Sequence, residues 1–512
     1  MIAVEQRHEP PPGQPERQHG PAGRPTAALR VVAALTLALA VALTGSPLPI
    51  AALVAVGLCV AVLARPEWAT LLFLFTVYLN VPAVATRFHG VPSIVASGSV
   101  LILGVPIAAY LVLRRESLVV TPALPLMFLY LAALMASTVL SVRPESSLPF
   151  ISTFLSEGLL LFLLVSNCIR SSAMIRKVIW VLILAGSLMG ALSIYQEVTG
   201  SYGNDLGGFA QVVTQGFKID ESATEGKVLR GRLAGPIGEQ NRYAQILLPV
   251  VALAIFRLWG ERSRALRLAA TVAALLMLAG ILLSFSRGAF VAASLVLLTL
   301  VVLREARLRH VAVIAAVVVV TMLSVAPDYL IRITSLQGVE GLANDGEGAD
   351  GAMIGRVTSN LAAWNTFVDH PVLGVGPLQY FEEYSLTAAN ELDLRRFDQG
   401  RRAHNLYLEI AADTGVVGLS AFLAIVGSTM VELLRLRTVF RRRRPDLANL
   451  ATSFFVALVA YLACGLFLHL SYQRYYWLLV ALSASVVWVL RSERDRTPVA
   501  TGGETGVPVA TG

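Results

Sequence analysis

From Arg264 to Arg304 the chain reads RALRLAATVAALLMLAGILLSFSRGAFVAASLVLLTLVVLR. Two apolar runs, 265–284 and 288–303, carry arginines at their outer ends and are joined by the polar tip Ser284-Phe285-Ser286-Arg287-Gly288-Ala289. About 20 predominantly apolar residues cross a bilayer as a helix. The stretch therefore reads as two membrane spans meeting in a tight hairpin.

Composition extends that reading to the whole chain. Of 512 residues, 56% are hydrophobic and 14% charged, against roughly 25% charged residues in soluble proteins. This excludes a string of three soluble domains. The net charge of +8 comes almost entirely from arginine, since Lys177, Lys218 and Lys227 are the only lysines. The arginines cluster between apolar runs, where membrane topology explains them and nucleic acid does not. Cys59, Cys168 and Cys464 lie in or beside apolar runs with no spacing for a disulfide or a metal.

About fourteen runs are long enough to cross, which predicts an all-α polytopic bundle. Seven fall close together, near 28–44, 48–64, 68–86, 94–113, 122–142, 150–167 and 174–195. Seven more fall near 241–258, 265–284, 288–303, 310–326, 415–434, 449–470 and 475–491. The expected organisation is a disordered cytoplasmic tail (1–27), a seven-span bundle (28–195), an outer loop (196–240), four spans (241–326), a larger outer loop (327–414), three spans (415–491) and a flexible tail (492–512). Alternation puts the basic connections at 114–115, 170–177, 257–267, 304–309, 435–444 and 491–496 on one face, with both termini. Arginine-rich loops stay in the cytoplasm, so both long loops fall on the opposite, outer face. In the second, Val357, Leu361, Trp364 and Val368 recur at helical spacing beside Arg356, Asn360 and Asn365. This predicts an amphipathic helix on the membrane surface, with a plain cap over the bundle as the alternative.

The chain has no phosphate-binding loop, no His-Glu-x-x-His zinc helix and no Gly-x-Ser-x-Gly elbow. Gly200 to Gly208 lacks a following Lys-Ser/Thr and reads as a flexible loop leading to no strand. Polar residues at the outer ends of spans form three clusters, and such residues are costly enough to suggest function. One runs from Arg232 to Ala244, the second is the Ser284 to Ala289 tip, and the third runs from Gly355 through His370 and His404 to Gly418.

Within these clusters Arg232-x-x-Gly235 leads into Asn241-x-x-Ala244, and Ser286-Arg287-Gly288 follows. Then come Gly355-Arg356, Trp364, His370-Pro371-x-x-Gly374-x-Gly376, His404-Asn405 and Gly415-x-x-Gly418. The ordered set, over roughly 230–430, resembles the O-antigen ligase and polymerase superfamily. These are integral membrane enzymes that take a glycan from undecaprenyl diphosphate and attach it to an acceptor. One departure is Glu239-Gln240-Asn241, where the family often has Asn-Pro-Asn.

The resemblance implies a GT-C-like bundle and a metal-independent inverting glycosyltransferase that needs neither cofactor nor nucleotide. Arg232 and Arg287 would hold the lipid diphosphate, since a guanidinium offers a planar fork of permanently charged donors. Asn241, Arg242, Arg356 and Asn405 join them as candidate substrate contacts. His404 would act as general base on the acceptor hydroxyl. From residue chemistry alone, His404 and Asn405 read as a helix cap, Arg356 equally suits bracing the loop, Arg242 equally suits pairing with Glu239, His370 reads as part of a turn, and His310 and His469 read as span-end residues without a ligand role. The expected partners are an undecaprenyl-diphosphate-linked glycan, an acceptor glycolipid, glycan or protein, and membrane lipids. Ligation, repeat-unit polymerisation and protein glycosylation share this pattern. A transporter of lipid-linked glycan or anions is the competing class, whose expected signs are internal repeats and broken helices.

Overall fold

The computed structural model describes residues 65–217, 228–305, 351–392 and 398–496, with isolated positions between 309 and 320. The expected runs near 28–44, 48–64 and 310–326 lie outside the described residues, as do the tails up to residue 27 and beyond 496. The other expected runs all fall on helices. These are α1 (Glu67–Tyr78), α2 (Val81–His89), α3 (Ser93–Leu113), α4 (Ala123–Val139), α5 (Pro144–Cys168) and α6 (Ser172–Thr199). After a two-stranded sheet, β1 (Gln211–Phe217) and β2 (Val228–Gly235), come α7 (Gln240–Gly260), α8 (Arg264–Leu283) and α9 (Arg287–Val302). The second long loop contributes α10 (Gly351–Asp369) and α11 (Ser385–Glu391), and the chain closes on α12 (Leu406–Phe440), α13 (Pro445–Cys464) and α14 (Gln473–Arg496).

Among the described residues eight helices are long and apolar enough to cross a membrane, and the α1–α2 pair, bent by 56°, makes up to nine. The helices α4 and α9 are shorter, at 17 and 16 residues. Four expectations need correction. The fold is not purely helical, because β1 and β2 pair antiparallel, with Val213 opposite Arg232 and an irregularity between Gln211 and Val212. The stretch from Gly200 to Gly208 is no free loop: Asn204 and Asp205 side chains accept from the N–H groups of Leu206 (2.9 Å) and Gly207 (3.0 Å), and β1 starts three residues later. Residues 492–496 continue α14 and are not tail. The run at 415–434 is the later part of α12, which starts nine residues earlier and kinks at Gly415.

The helices pack through rings and through very small residues. Tyr130, Phe154, Phe422, Tyr476 and Trp477, all fully buried, bring α4, α5, α12 and α14 into one aromatic cluster. Tyr476 stacks on Phe422 at 5.0 Å, and Phe154 meets Trp477 edge-on at 5.1 Å. Where α6 crosses α8, a Cβ on Gly190 would collide with the Leu276 carbonyl, and one on Gly280 would lie 3.2 Å from the Gly190 Cα. Small residues let backbones approach closely where lipid removes the hydrophobic drive for helix association.

Arginines gather at one end of the bundle. Arg437 on α12 pairs with Glu305 beyond α9 (2.6 Å), Arg176 on α6 with Asp446 on α13 (2.9 Å), and Arg257 on α7 donates to Asn449 on α13 (3.0 Å). The opposite ends of α7, α8, α9 and α12 carry the sequence motifs. Enlarging the α6–α8 contact tests the packing: Gly190→Val should destabilise by about 1–3 kcal/mol. The readout is a lower thermal midpoint in detergent, and an unchanged midpoint contradicts the close crossing.

Candidate active site at the motif-bearing helix ends

The site begins with α7. Glu239 is the cap of this helix, its carboxylate accepting from the backbone N–H of Asn241 (3.0 Å) and Arg242 (2.7 Å) and from the Asn241 side-chain amide (2.9 Å). Capping gives a physical reason for an acid where the family often has Asn. Arg242, one turn inside, is 3% exposed. Its Nη1 donates to Gln245 (3.1 Å), and Glu239 lies 3.9 Å from its Nε. Nη2 is buried with no acceptor among the described residues.

Arg232, on β2, is also 3% exposed and bolts the hairpin tip in place. Its Nε donates to the Ser284 carbonyl (3.0 Å), and its Nη2 lies 3.2 Å from the Phe285 carbonyl and 3.3 Å from Asn241 Oδ1. Phe285 is fully buried with a left-handed backbone, φ +52°, a conformation uncommon outside glycine. Ser286 then caps α9, accepting from Ala289 N–H at 3.4 Å. Arg287 is the first residue of α9 and is half-buried. Asn241, Ser286, Gly288 and Arg356 line one small cleft together with Cys464 and Phe467. The structure thus brings the first two motif clusters and Arg356 to one place.

The third cluster divides in two. Its Gly-rich part is a clamp on the kink of α12. Val375 and Gly376 N–H donate to the carbonyls of Ala412 (3.0 Å) and Asp413 (2.8 Å), and Val416 N–H donates to Pro371 O (2.8 Å). At Gly415 φ is +63°, and any Cβ would run into the Val372 carbonyl. Asp413, 5% exposed, accepts from the N–H groups of Leu378 and Tyr380, each at 3.1 Å. His370, as expected, sits in this turn, its ring edge-on to Tyr384 at 5.5 Å.

The surface helix is α10, with an orientation opposite to a buried stripe. Leu361, Trp364 and Val368 are 39, 49 and 54% exposed, while Thr358, Ser359, Ala362, Ala363 and Thr366 face inward. The inward hydroxyls can be buried because each donates to a carbonyl one turn back.

The remainder of the cluster surrounds His404. Asn405 caps α12, accepting from Tyr407 and Leu408 N–H (3.0 and 3.1 Å) and donating to Leu466 O (3.3 Å). His404 itself does not cap; its backbone is left-handed, φ +53°, strain of a kind that gathers at functional sites. The bend is held by Glu409, 4% exposed, which accepts from Arg402 (2.8 Å) and from Ala403 N–H (3.1 Å). Opposite stands His469, its ring 6.0 Å from that of His404 and steeply inclined to it. His469 Nδ1 shares a 2.9 Å hydrogen bond with Ser471 and lies 3.9 Å from Glu409. Burial first, and then Arg356, Arg242 and Arg401, push the His404 imidazole down to about 4 from its ordinary 6.5. Burial, with Arg242, Arg402 and His404, likewise holds His469 well below the ordinary value. Both imidazoles thus stand among arginines, with the Glu409 carboxylate on the His469 side.

Residues 272–423 match the family model described as O-antigen ligase. The matched segment holds Arg287, Arg356, His404 and the clamp at Gly415, and it supports the resemblance to the O-antigen ligase and polymerase superfamily. Arg232, Asn241, Arg242 and His469 stand outside the matched residues. No curated protein matches the chain.

Sequence reading passed over Glu409, Arg402 and His469 as participants. The signal was the polar run His469-Leu-Ser471-Tyr472-Gln473-Arg474 between two apolar spans, expensive at that position without a purpose. Removing Glu409 tests the loop geometry around His404. Glu409→Ala leaves Arg402 and the Ala403 N–H without their acceptor, and loss of one partner of a buried pair costs about 3–5 kcal/mol. A lower thermal midpoint in protein that still inserts is expected; an unchanged midpoint contradicts the assignment.

Proposed function

We propose that this O-antigen ligase-superfamily protein moves a glycan from undecaprenyl diphosphate to an acceptor hydroxyl on the outer face of the bacterial cytoplasmic membrane. The observation that carries the reading is that the cleft shared by Asn241, Ser286, Gly288 and Arg356 and the strained bend at His404 draw on residues of the O-antigen ligase match. The arginine-rich helix ends lie opposite this cluster, which supports an outward-facing site under the rule that basic ends stay in the cytoplasm.

In this reading the diphosphate sits among Arg242, Arg287 and Arg356, whose guanidinium groups stabilise the charge that builds on the leaving group as the sugar–phosphate bond breaks. His404 takes the acceptor's proton while the acceptor oxygen attacks the anomeric carbon from the opposite side, inverting it. The electron pair of the broken bond leaves with the diphosphate. No step requires a metal. Arg232 acts by positioning, because its donors hold the hairpin tip that presents Arg287. Asn405 likewise positions His404 by starting α12. All fourteen expected spans belong to this reading.

Burial is the main reason His404 stays uncharged, and of the arginines that add to it, Arg356 and Arg242 are groups a diphosphate would neutralise. Donor binding therefore raises the imidazole's proton affinity and makes it a stronger base when the substrate is in place. A base works in its unprotonated form, so activity falls as pH drops through its pKa. The acid limb of kcat/KM reports the free enzyme and that of kcat the bound one. The kcat/KM limb should lie near pH 4 and the kcat limb at higher pH.

Glycan transfer by purified protein, given a lipid-diphosphate-linked oligosaccharide and alternative acceptors in EDTA, tests the proposal. Wild type should form product, and His404→Ala should lose about 10²–10⁴-fold, the usual contribution of general base catalysis. The acceptor used separates lipopolysaccharide ligation from polymerisation and from transfer to protein. Full transfer by a normally inserted His404→Ala protein overturns the base assignment. Movement of the donor across liposomes without a new glycosidic bond favours transport.

A further inference from the structure

A sizeable cavity lies away from His404, between α1, α2, α3 and α5. It encloses about 440 Å³, within the roughly 300–1,000 Å³ of pockets that hold small ligands. Its walls are mainly apolar, with Phe73, Val77, Val84 and Leu160 among them. Two arginines line it, and they differ. Arg474 is occupied, donating to Glu157 (3.0 Å) and to Asn80 (2.6 Å). Arg87 is exposed at the rim, lies over the Phe88 ring at 5.5 Å, and has no ion pair among the described residues.

One wall is shared with the site. Pro236 and Ile237 line the cavity just before the Glu239 cap, and Tyr472 lines it one residue after Ser471, the partner of His469. The Tyr472 hydroxyl joins the two turns by donating to Ile237 O at 3.2 Å. All the lining residues fall outside the segment that matches the O-antigen ligase family.

We propose that this cavity holds the hydrocarbon chain of a phosphate-headed lipid, with Arg87 meeting the head group. An apolar hollow in a membrane-spanning bundle favours a chain, and an unpaired guanidinium at its mouth favours an anion. The N-terminal helices thereby seat a phosphate-headed lipid at a head-group site separate from the one proposed for the donor diphosphate.

Photocrosslinking tests it with full-length protein in detergent. The probes are an isoprenyl monophosphate and a phosphatidic acid, each with a diazirine in its tail, and the uncharged isoprenol as control. Labelling of peptides that carry Phe73, Val84 or Leu160 by either phosphate probe is expected, and the stronger probe identifies the source of the chain. Val84→Trp, which fills the cavity, and Arg87→Glu, which reverses the rim charge, should each weaken labelling by about tenfold. Ala96→Phe on the facing wall repeats the filling test if Val84→Trp does not insert. No labelling by either phosphate probe, labelling indifferent to the filled cavity, or equal labelling by the isoprenol overturns the proposal. The assay reads binding without turnover, so it succeeds or fails independently of glycan transfer.

Discussion

Two buried carboxylates one helical turn apart hold the outer layer of this protein to its membrane bundle. Glu409 and Asp413 lie on the first turns of α12 and accept backbone N–H groups from different loops, Glu409 from the 402–404 bend and Asp413 from the segment after Gly376. A carboxylate taken out of water costs several kcal/mol unless its oxygens are satisfied, so each fixes its loop in a single geometry. The strained backbone at His404 and the kink at Gly415 both depend on these bonds.

That constraint explains how a membrane-edge site holds an excess of positive charge without unfolding. Of the arginines around His404, Arg402 has its carboxylate in Glu409, and Arg242 has only a distant one in Glu239. The fold supplies the compensation elsewhere, through ordered carbonyls and caps, as at Arg232 and the Ser284–Phe285 carbonyls. A pocket lined with arginines favours an anionic ligand, and uncharged histidines avoid adding to the repulsion.

Much of the bundle was legible because a bilayer imposes length and apolarity on each helix, and those survive in a one-dimensional reading. The motif residues were also legible as a set, and Asn241, Arg356 and the hairpin tip do share one cleft. Their individual duties were not. An arginine in a motif reads as a ligand, yet Arg232 turned its donors to carbonyls that sequence cannot locate. His469 looked idle because its neighbours, His404 and Glu409, approach it only through the fold of α12 against the 465–471 segment. The sheet escaped because its strands are short and β1 follows a glycine-rich turn, where alternation is too brief to register. The stripe on α10 was read correctly as amphipathic, but which side packs is decided by the small residues that let it approach the clamp.

His404 is kept uncharged by burial and by arginines, two of which the donor would neutralise. The direct measurement is NMR titration of the His404 imidazole in selectively labelled protein, with and without undecaprenyl diphosphate. A free-state pKa near 4 that rises toward the ordinary histidine value on binding is the predicted result. A pKa already ordinary in the free protein, or one unmoved by the diphosphate, would contradict it.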